Sequence, residues 1–114
     1  MNWFKEPRFQ LKRWGWYLVL LQGTYFKVKF LYFKRGGEIS LQKHAWRDET
    51  WCFLFGSGWM QNYLNHEAVV KWPIGKGSFQ YIPKRNWHHY KADKRTLVLE
   101  VQTGRCEEED IERA

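Results

Sequence analysis

The chain has 114 residues, 19 Lys and Arg against 12 Asp and Glu, and a net charge of +7. One domain over residues 1–114 with one core is the default at that length. No disulfide framework is expected, because Cys52 lies in an apolar run, Cys106 in a polar tail, and the two form no CxxC pair.

No apolar run approaches a membrane span, and the opening MNWFKEPRF lacks the apolar core of a signal peptide. A cytoplasmic protein without a membrane partner is therefore expected. The positive charge fits an anionic partner: a sugar phosphate, a nucleotide, nucleic acid or acidic lipid. Eight Trp, six Tyr and eight Phe favour pleated, half-buried surfaces and hence an all-β fold.

Residues 16–21 form an apolar run that reads as a strand, and Gln22-Gly23 turns the chain. Residues 24–34 read as a second strand. Phe26, Val28, Phe30 and Tyr32 share one face, and Lys27 and Lys29 fall on the other, a solvated one by expectation. After the turn Arg35-Gly36-Gly37, residues 38–44 read as a short strand and residues 45–48 as a turn. Residues 49–55 form an aromatic strand whose Trp51, Phe53 and Phe55 are expected to pack in the core.

Residues 61–70 suit a hairpin or a short helix, and residues 72–77 are turn-rich. Strands follow at residues 78–82, 87–91 and 96–102, the last around Leu97, Val98, Leu99 and Val101. The acidic run at residues 107–110 suits a helix N-terminus. Short strands with glycine-rich turns predict a sandwich or small barrel whose interior can hold one ligand. The aromatics alternate into that core instead of lining one surface, so no nucleic acid is expected.

Gln42 and His44 are two apart and share a face if extended. Glu49 opens the next strand on the face of Trp51, and a fourth donor is available from His88 or His89. One amide oxygen, two imidazoles and one carboxylate suit zinc, manganese, iron, cobalt or nickel better than a thiolate site would. Water and substrate would complete such a shell, as in catalytic centres.

The run Gly36…Gln42-Lys43-His44…Glu49…Gly56 resembles the first motif of the cupin superfamily, with Gln42 where many cupins have His. Gly77…Pro83…His88 resembles the second, with Arg85 in place of the usual glycine and Ala92 in place of the usual Asn. His88, not His89, falls at the ligand position.

A closer resemblance covers residues 12–113. Arg13-Trp14-Gly15-Trp16-Tyr17 is similar to the RPWGxY opening of type II mannose-6-phosphate isomerases. These also occur as the C-terminal domain of bifunctional isomerase/GDP-mannose pyrophosphorylases. Residues 26–29 resemble their YKVK strand, residues 41–51 their LSLQxHxHRxEHW segment and residues 81–83 their YIP. Residues 100–104 resemble EVQxG, and residues 109–113 resemble EDDIxR.

This resemblance implies a double-stranded β-helix, the cupin jelly roll, with a short C-terminal helix or tail. It implies a divalent metal ion on Gln42, His44, Glu49 and His88, and interconversion of mannose 6-phosphate and fructose 6-phosphate through an enediolate. Arg113 matches the terminal Arg tied to isomerase activity. Arg47 matches an Arg that meets the phosphate or orients Glu49. No motif names the base; Glu100, on the strand before the EVQxG turn, is the candidate. A homodimer is also implied. Ala45, Trp46 and Thr50 stand where the family commonly has His, so the alternative is a small cupin that binds a metal and a sugar or nucleotide-sugar without this turnover.

Overall fold

The structure is a computed structural model that describes residues 8–40, 42–43, 46–64, 68–104 and 112–113. Within these residues the chain forms β1 (Phe9–Lys12), β2 (Gly15–Gln22), β3 (Phe26–Phe33), β4 (Gln42–Lys43), β5 (Arg47–Phe55) and β6 (Ser57–Leu64). It continues with β7 (Ala68–Gly75), β8 (Phe79–Ile82), β9 (Trp87–Ala92), β10 (Thr96–Gly104) and β11 (Glu112–Arg113). All pairings are antiparallel. One sheet runs β1-β2-β3-β10-β5-β8 and the other β11-β4-β9-β6-β7. No helix occurs among the described residues, so none there is long and apolar enough to cross a membrane. The helix start expected at residues 107–110 lies outside them; the described part of the C-terminus is β11, paired with β4.

The two sheets face each other across an apolar core. Phe33 is fully buried, stacked on Trp14 at 4.7 Å and edge-on to Tyr90 at 4.9 Å. Such aromatic pairs add about 0.5–1.5 kcal/mol each beyond their area. Tyr90 keeps its hydroxyl satisfied against Thr96 Oγ1 at 2.9 Å. Burial, the largest cause, pushes its phenol up to about 12. Gly56, at φ 101°, turns the chain from β5 in one sheet into β6 in the other. A Cβ there would collide with the Arg95 carbonyl, so the corner needs glycine.

Several expectations are corrected. On β3 the buried residues are Lys27, Lys29, Leu31 and Phe33, whereas Phe26 is 42% exposed and Val28, Phe30 and Tyr32 are half-buried. The strand is apolar on both faces beyond Lys29, so composition alone did not set its parity. Pairing did: Lys29 lies opposite Glu100 and Lys27 opposite Gln102. Phe55 is exposed, because β5 leaves the core at its last residues.

Of the strand expected over residues 38–44, Glu38 bridges Lys91 alone and Gln42–Lys43 form β4. Arg47 and Asp48 are not a turn. They open β5, paired with Gly104 and Thr103. Residues 61–70 are the hairpin alternative, β6–β7. The turn-rich stretch around Pro73 belongs to β7, an edge strand, where a missing N–H costs no ladder bond on the open side.

Candidate active site

The register across β3, β10 and β5 stacks the interior in rows. Leu31, Val98 and Phe53 form an apolar row. The next row is Lys29, Glu100 and Trp51, and the one beyond it Lys27, Gln102 and Glu49. One end of the barrel is thus hydrophobic and the other charged. Lys27, Lys29, Arg47, Glu49, His88, Glu100 and Gln102 are all 5% exposed or less. So many buried charges are costly unless they compensate one another or a ligand.

Glu49 is held at both oxygens. Arg47 Nε donates to Oε2 at 3.2 Å, and Trp51 Nε1 donates to Oε1 at 3.0 Å. Alternation along β5 puts all three side chains on the inner face. Gln102 Nε2 donates to Glu100 Oε1 at 2.7 Å, while Gln102 Oε1 is buried and accepts no hydrogen bond. Lys29 Nζ sits 4.1 Å above the Tyr17 ring, a cation–π contact. The Glu100 carboxyl is pushed up to about 8. Burial is the main cause, the neighbouring Glu49 carboxyl adds to it, and Lys29 and Arg47 oppose it.

His88 comes from the facing sheet. Its Nδ1 lies 3.5 Å from the Asn86 carbonyl, and its Nε2 lies 3.9 Å from Glu49 Oε1. A proton on Nδ1 directed at that carbonyl leaves the Nε2 lone pair aimed at Glu49, the tautomer a metal ligand needs. Two donors about 2.0–2.2 Å from one ion are at most about 4.4 Å apart, so His88 and Glu49 fit a shared divalent ion. Gln42 is the direct cross-strand partner of His88 and so lies on its face, half-buried, with its amide nitrogen 3.4 Å from Ser40 Oγ.

His44 and Ala45 lie outside the described residues. Among the described residues no three His, Cys, Asp or Glu are placed to hold a metal. Glu49 and His88, with the amide of Gln42, are the part of the expected set that the structure describes. Arg113 pairs with Gln42, so its backbone continues the row through Gln42 to His88. His89 points away from this layer, with Nε2 3.3 Å from Glu38 Oε1.

Sequence reasoning missed Lys27, Lys29 and Gln102. The signal for the lysines was their shared parity with Leu31 and Phe33. For Gln102 it was the two-residue step from Glu100.

A family model described as mannose-6-phosphate isomerase C-terminal matches residues 5–114. The chain belongs to the mannose-6-phosphate isomerase C-terminal family. A curated relative is the mannose-1-phosphate guanylyltransferase of Sinorhizobium fredii (strain NBRC 101917 / NGR234), 26% identical over 96 residues. The match covers 82% of this chain and 18% of that protein, so the chain spans under a fifth of the relative's length.

Similar solved structures include the capsular polysaccharide assembling protein CapF from Staphylococcus aureus, with TM-score 0.80 and 12% identity over 92% of this chain and 33% of that one. Oxalate decarboxylase from Bacillus subtilis gives TM-score 0.82 and 16% identity over 92% and 29%. At such identities these two likenesses establish the fold, a cupin jelly roll, and not the activity. Within that fold, this member of the family carries its charged layer at the end of the barrel where Glu49 and His88 meet.

Proposed function

We propose that the chain interconverts an aldose phosphate and a ketose phosphate, mannose 6-phosphate and fructose 6-phosphate, in the charged half of the barrel. Gln42, His44, Glu49 and His88 are the residues that would hold a divalent ion of zinc, manganese, cobalt, nickel or iron. When bound, that ion supplies Lewis-acid polarisation of the sugar carbonyl.

The remaining work falls to the chain. Arg47 and Trp51 keep the Glu49 carboxylate oriented. Glu100 takes the proton from C2 of the aldose and returns it to C1, while the hydroxyl proton on O2 passes to O1, so that the C1 aldehyde becomes an alcohol and C2 a carbonyl. A carboxyl held near 8 is close enough to neutral pH both to take and to give a proton. Lys29, opposite Glu100, faces the negative charge that grows on the sugar oxygens as the C2 proton leaves. Gln102 Oε1 offers a buried acceptor to a sugar hydroxyl. Lys27, Arg47 and Arg113 are the cations for the phosphate group.

The observation that carries this reading is the placement of Glu100: buried, across the strands from Lys29 and Trp51, and one row from Glu49. Glu100→Gln is expected to lower kcat by about 10²–10⁴ while the bound metal stays at the wild-type level. An unchanged kcat would remove Glu100 from the reaction.

The second reading, a cupin that binds metal and sugar without turnover, draws on the replaced histidines. Thr50 does not support it. Thr50 pairs with Val101 and Tyr81 on the outer face of the sheet, so a histidine there would not enter the barrel. Trp46 is 52% exposed and is not part of the buried layer. Calorimetric binding of mannose 6-phosphate with no fructose 6-phosphate formed would favour this second reading.

A further inference from the structure

The β5–β8 ladder ends at Glu49 and Ile82, and the reason is chemical. The next pair would set Asp48 against Pro83, which has no N–H to give. Asp48 continues the pairing with its side chain instead. Its Oδ1 accepts from the Lys84 backbone N–H, the next donor along the chain, at 2.7 Å. Alternation along β5 puts Asp48 on the outer face while Glu49 points inward. Tyr81 stands beside the Asp48 carboxylate on that outer face.

Pro83 to Asn86 form a tight turn. The Asn86 N–H donates to the Pro83 carbonyl at 3.3 Å, and the third of the four residues, Arg85, has φ 66°. A type II turn takes a positive φ at that position and favours glycine there. A residue in so strained a conformation persists where its surroundings over-determine it. The bond from Asp48, 36 residues away in sequence, is one such hold. The far end of the turn presents the Asn86 carbonyl, 3.5 Å from His88 Nδ1. That is the long limit of a hydrogen bond, so a small outward drift of the turn releases the imidazole.

We propose that Asp48 is a positioning residue for the site, fixing the turn that in turn fixes the tautomer and direction of His88. The proposal rests on the reading above that His88 and Glu49 share a divalent ion. Asp48 then ties the two donors together across the sheets. Glu49 is its neighbour on β5, and His88 on β9 is oriented by the turn that Asp48 holds. From the outer face Asp48 acts through the Lys84 N–H and the Asn86 carbonyl. The bond to Lys84 needs an acceptor oxygen and not a charge, so an Asn amide oxygen serves in its place.

The test compares wild type, Asp48→Ala and Asp48→Asn by two readouts. Lys84 is exposed, so water takes over its N–H in Asp48→Ala and the variant folds, as circular dichroism checks. The first readout is nitrogen NMR of His88 in metal-free protein at about pH 8.5, above the ordinary imidazole range. Wild type and Asp48→Asn are expected to carry the proton on Nδ1, and Asp48→Ala to show a mixture of both tautomers. The second readout is cobalt titration followed by visible absorption. Asp48→Ala is expected to bind cobalt about tenfold more weakly, and Asp48→Asn to match the wild type. A wild-type tautomer or a wild-type cobalt affinity in folded Asp48→Ala overturns the proposal and leaves the metal reading standing. If Asp48→Asn weakens cobalt as much as Asp48→Ala does, the carboxylate acts through its charge and the proposal falls as well. A tautomer shift in Asp48→Ala, in a protein whose wild type binds no cobalt, supports the hold on His88 and removes the shared ion instead.

Discussion

Glu100 is a carboxyl that burial and a second carboxyl push up while two cations pull it down, and its balance sits at about 8 against an ordinary 4.5. The folded chain therefore keeps a proton that the unfolded chain releases in between. That contribution to stability is complete below the lower value and is lost as pH rises through the higher one. Metal-free protein is expected to show a Tm that falls between about pH 5 and about pH 8.5, with a flatter slope in Glu100→Gln. A Tm that rises over that window contradicts the burial-driven shift.

Arg85 is a second residue under tension. It has φ 66°, the only positive φ outside glycine among the described residues, in the turn between β8 and β9. It stands where the family resemblance expects glycine. A non-glycine residue there costs about 1–2 kcal/mol, and glycine costs about 0.5–1 kcal/mol in unfolded-chain entropy, so Arg85→Gly is expected to gain about 0.5–1 kcal/mol in urea titration. A loss of stability would show that the Arg85 side chain holds the turn.

At the scale of elements, the instructive strand is β3. Its sequence FKVKFLYF alternates cleanly at first, and ordinary partition sends lysine outward. The structure does the reverse, because Glu100 and Gln102 on β10 accept the lysines into the barrel. Phe33→Ala is expected to cost about 3–5 kcal/mol, since Phe33 is fully buried among Trp14, Trp51 and Tyr90. Phe26→Ala, on the face that the alternation alone suggests is the core, is expected to stay within about 0.5 kcal/mol as a monomer. Equal losses in chemical denaturation would mean that the strand faces the other way.

This contrast marks what the sequence made legible. Strand positions followed from apolar runs and turns, and the motif spacing singled out Glu49 and His88, which meet at 3.9 Å in the buried layer, while His89 turns to Glu38; their service as ligands belongs to the proposal. What depended on partners distant in the chain was not legible. The parity of β3, the strand character of Arg47 and Asp48, and the edge strand around Pro73 are all decided by cross-strand pairing. Local propensity does not record it.

At the scale of the whole molecule, the jelly roll separates three environments. One end of the interior is apolar and carries the stability. The other gathers Lys27, Lys29, Arg47, Glu49, His88 and Glu100 and carries the proposed chemistry. The outer face of the larger sheet carries rows of apolar side chains, with Asp48 beside Tyr81 at one end.

The account stands most directly on one assay: conversion of mannose 6-phosphate to fructose 6-phosphate by metal-loaded protein, beside EDTA-treated protein and His88→Ala, with metal content measured in each. The expected result is turnover in the loaded wild type, none after EDTA, and loss of both bound metal and turnover in His88→Ala. A folded, metal-loaded wild type with no turnover, or a His88→Ala variant that keeps both, would contradict it.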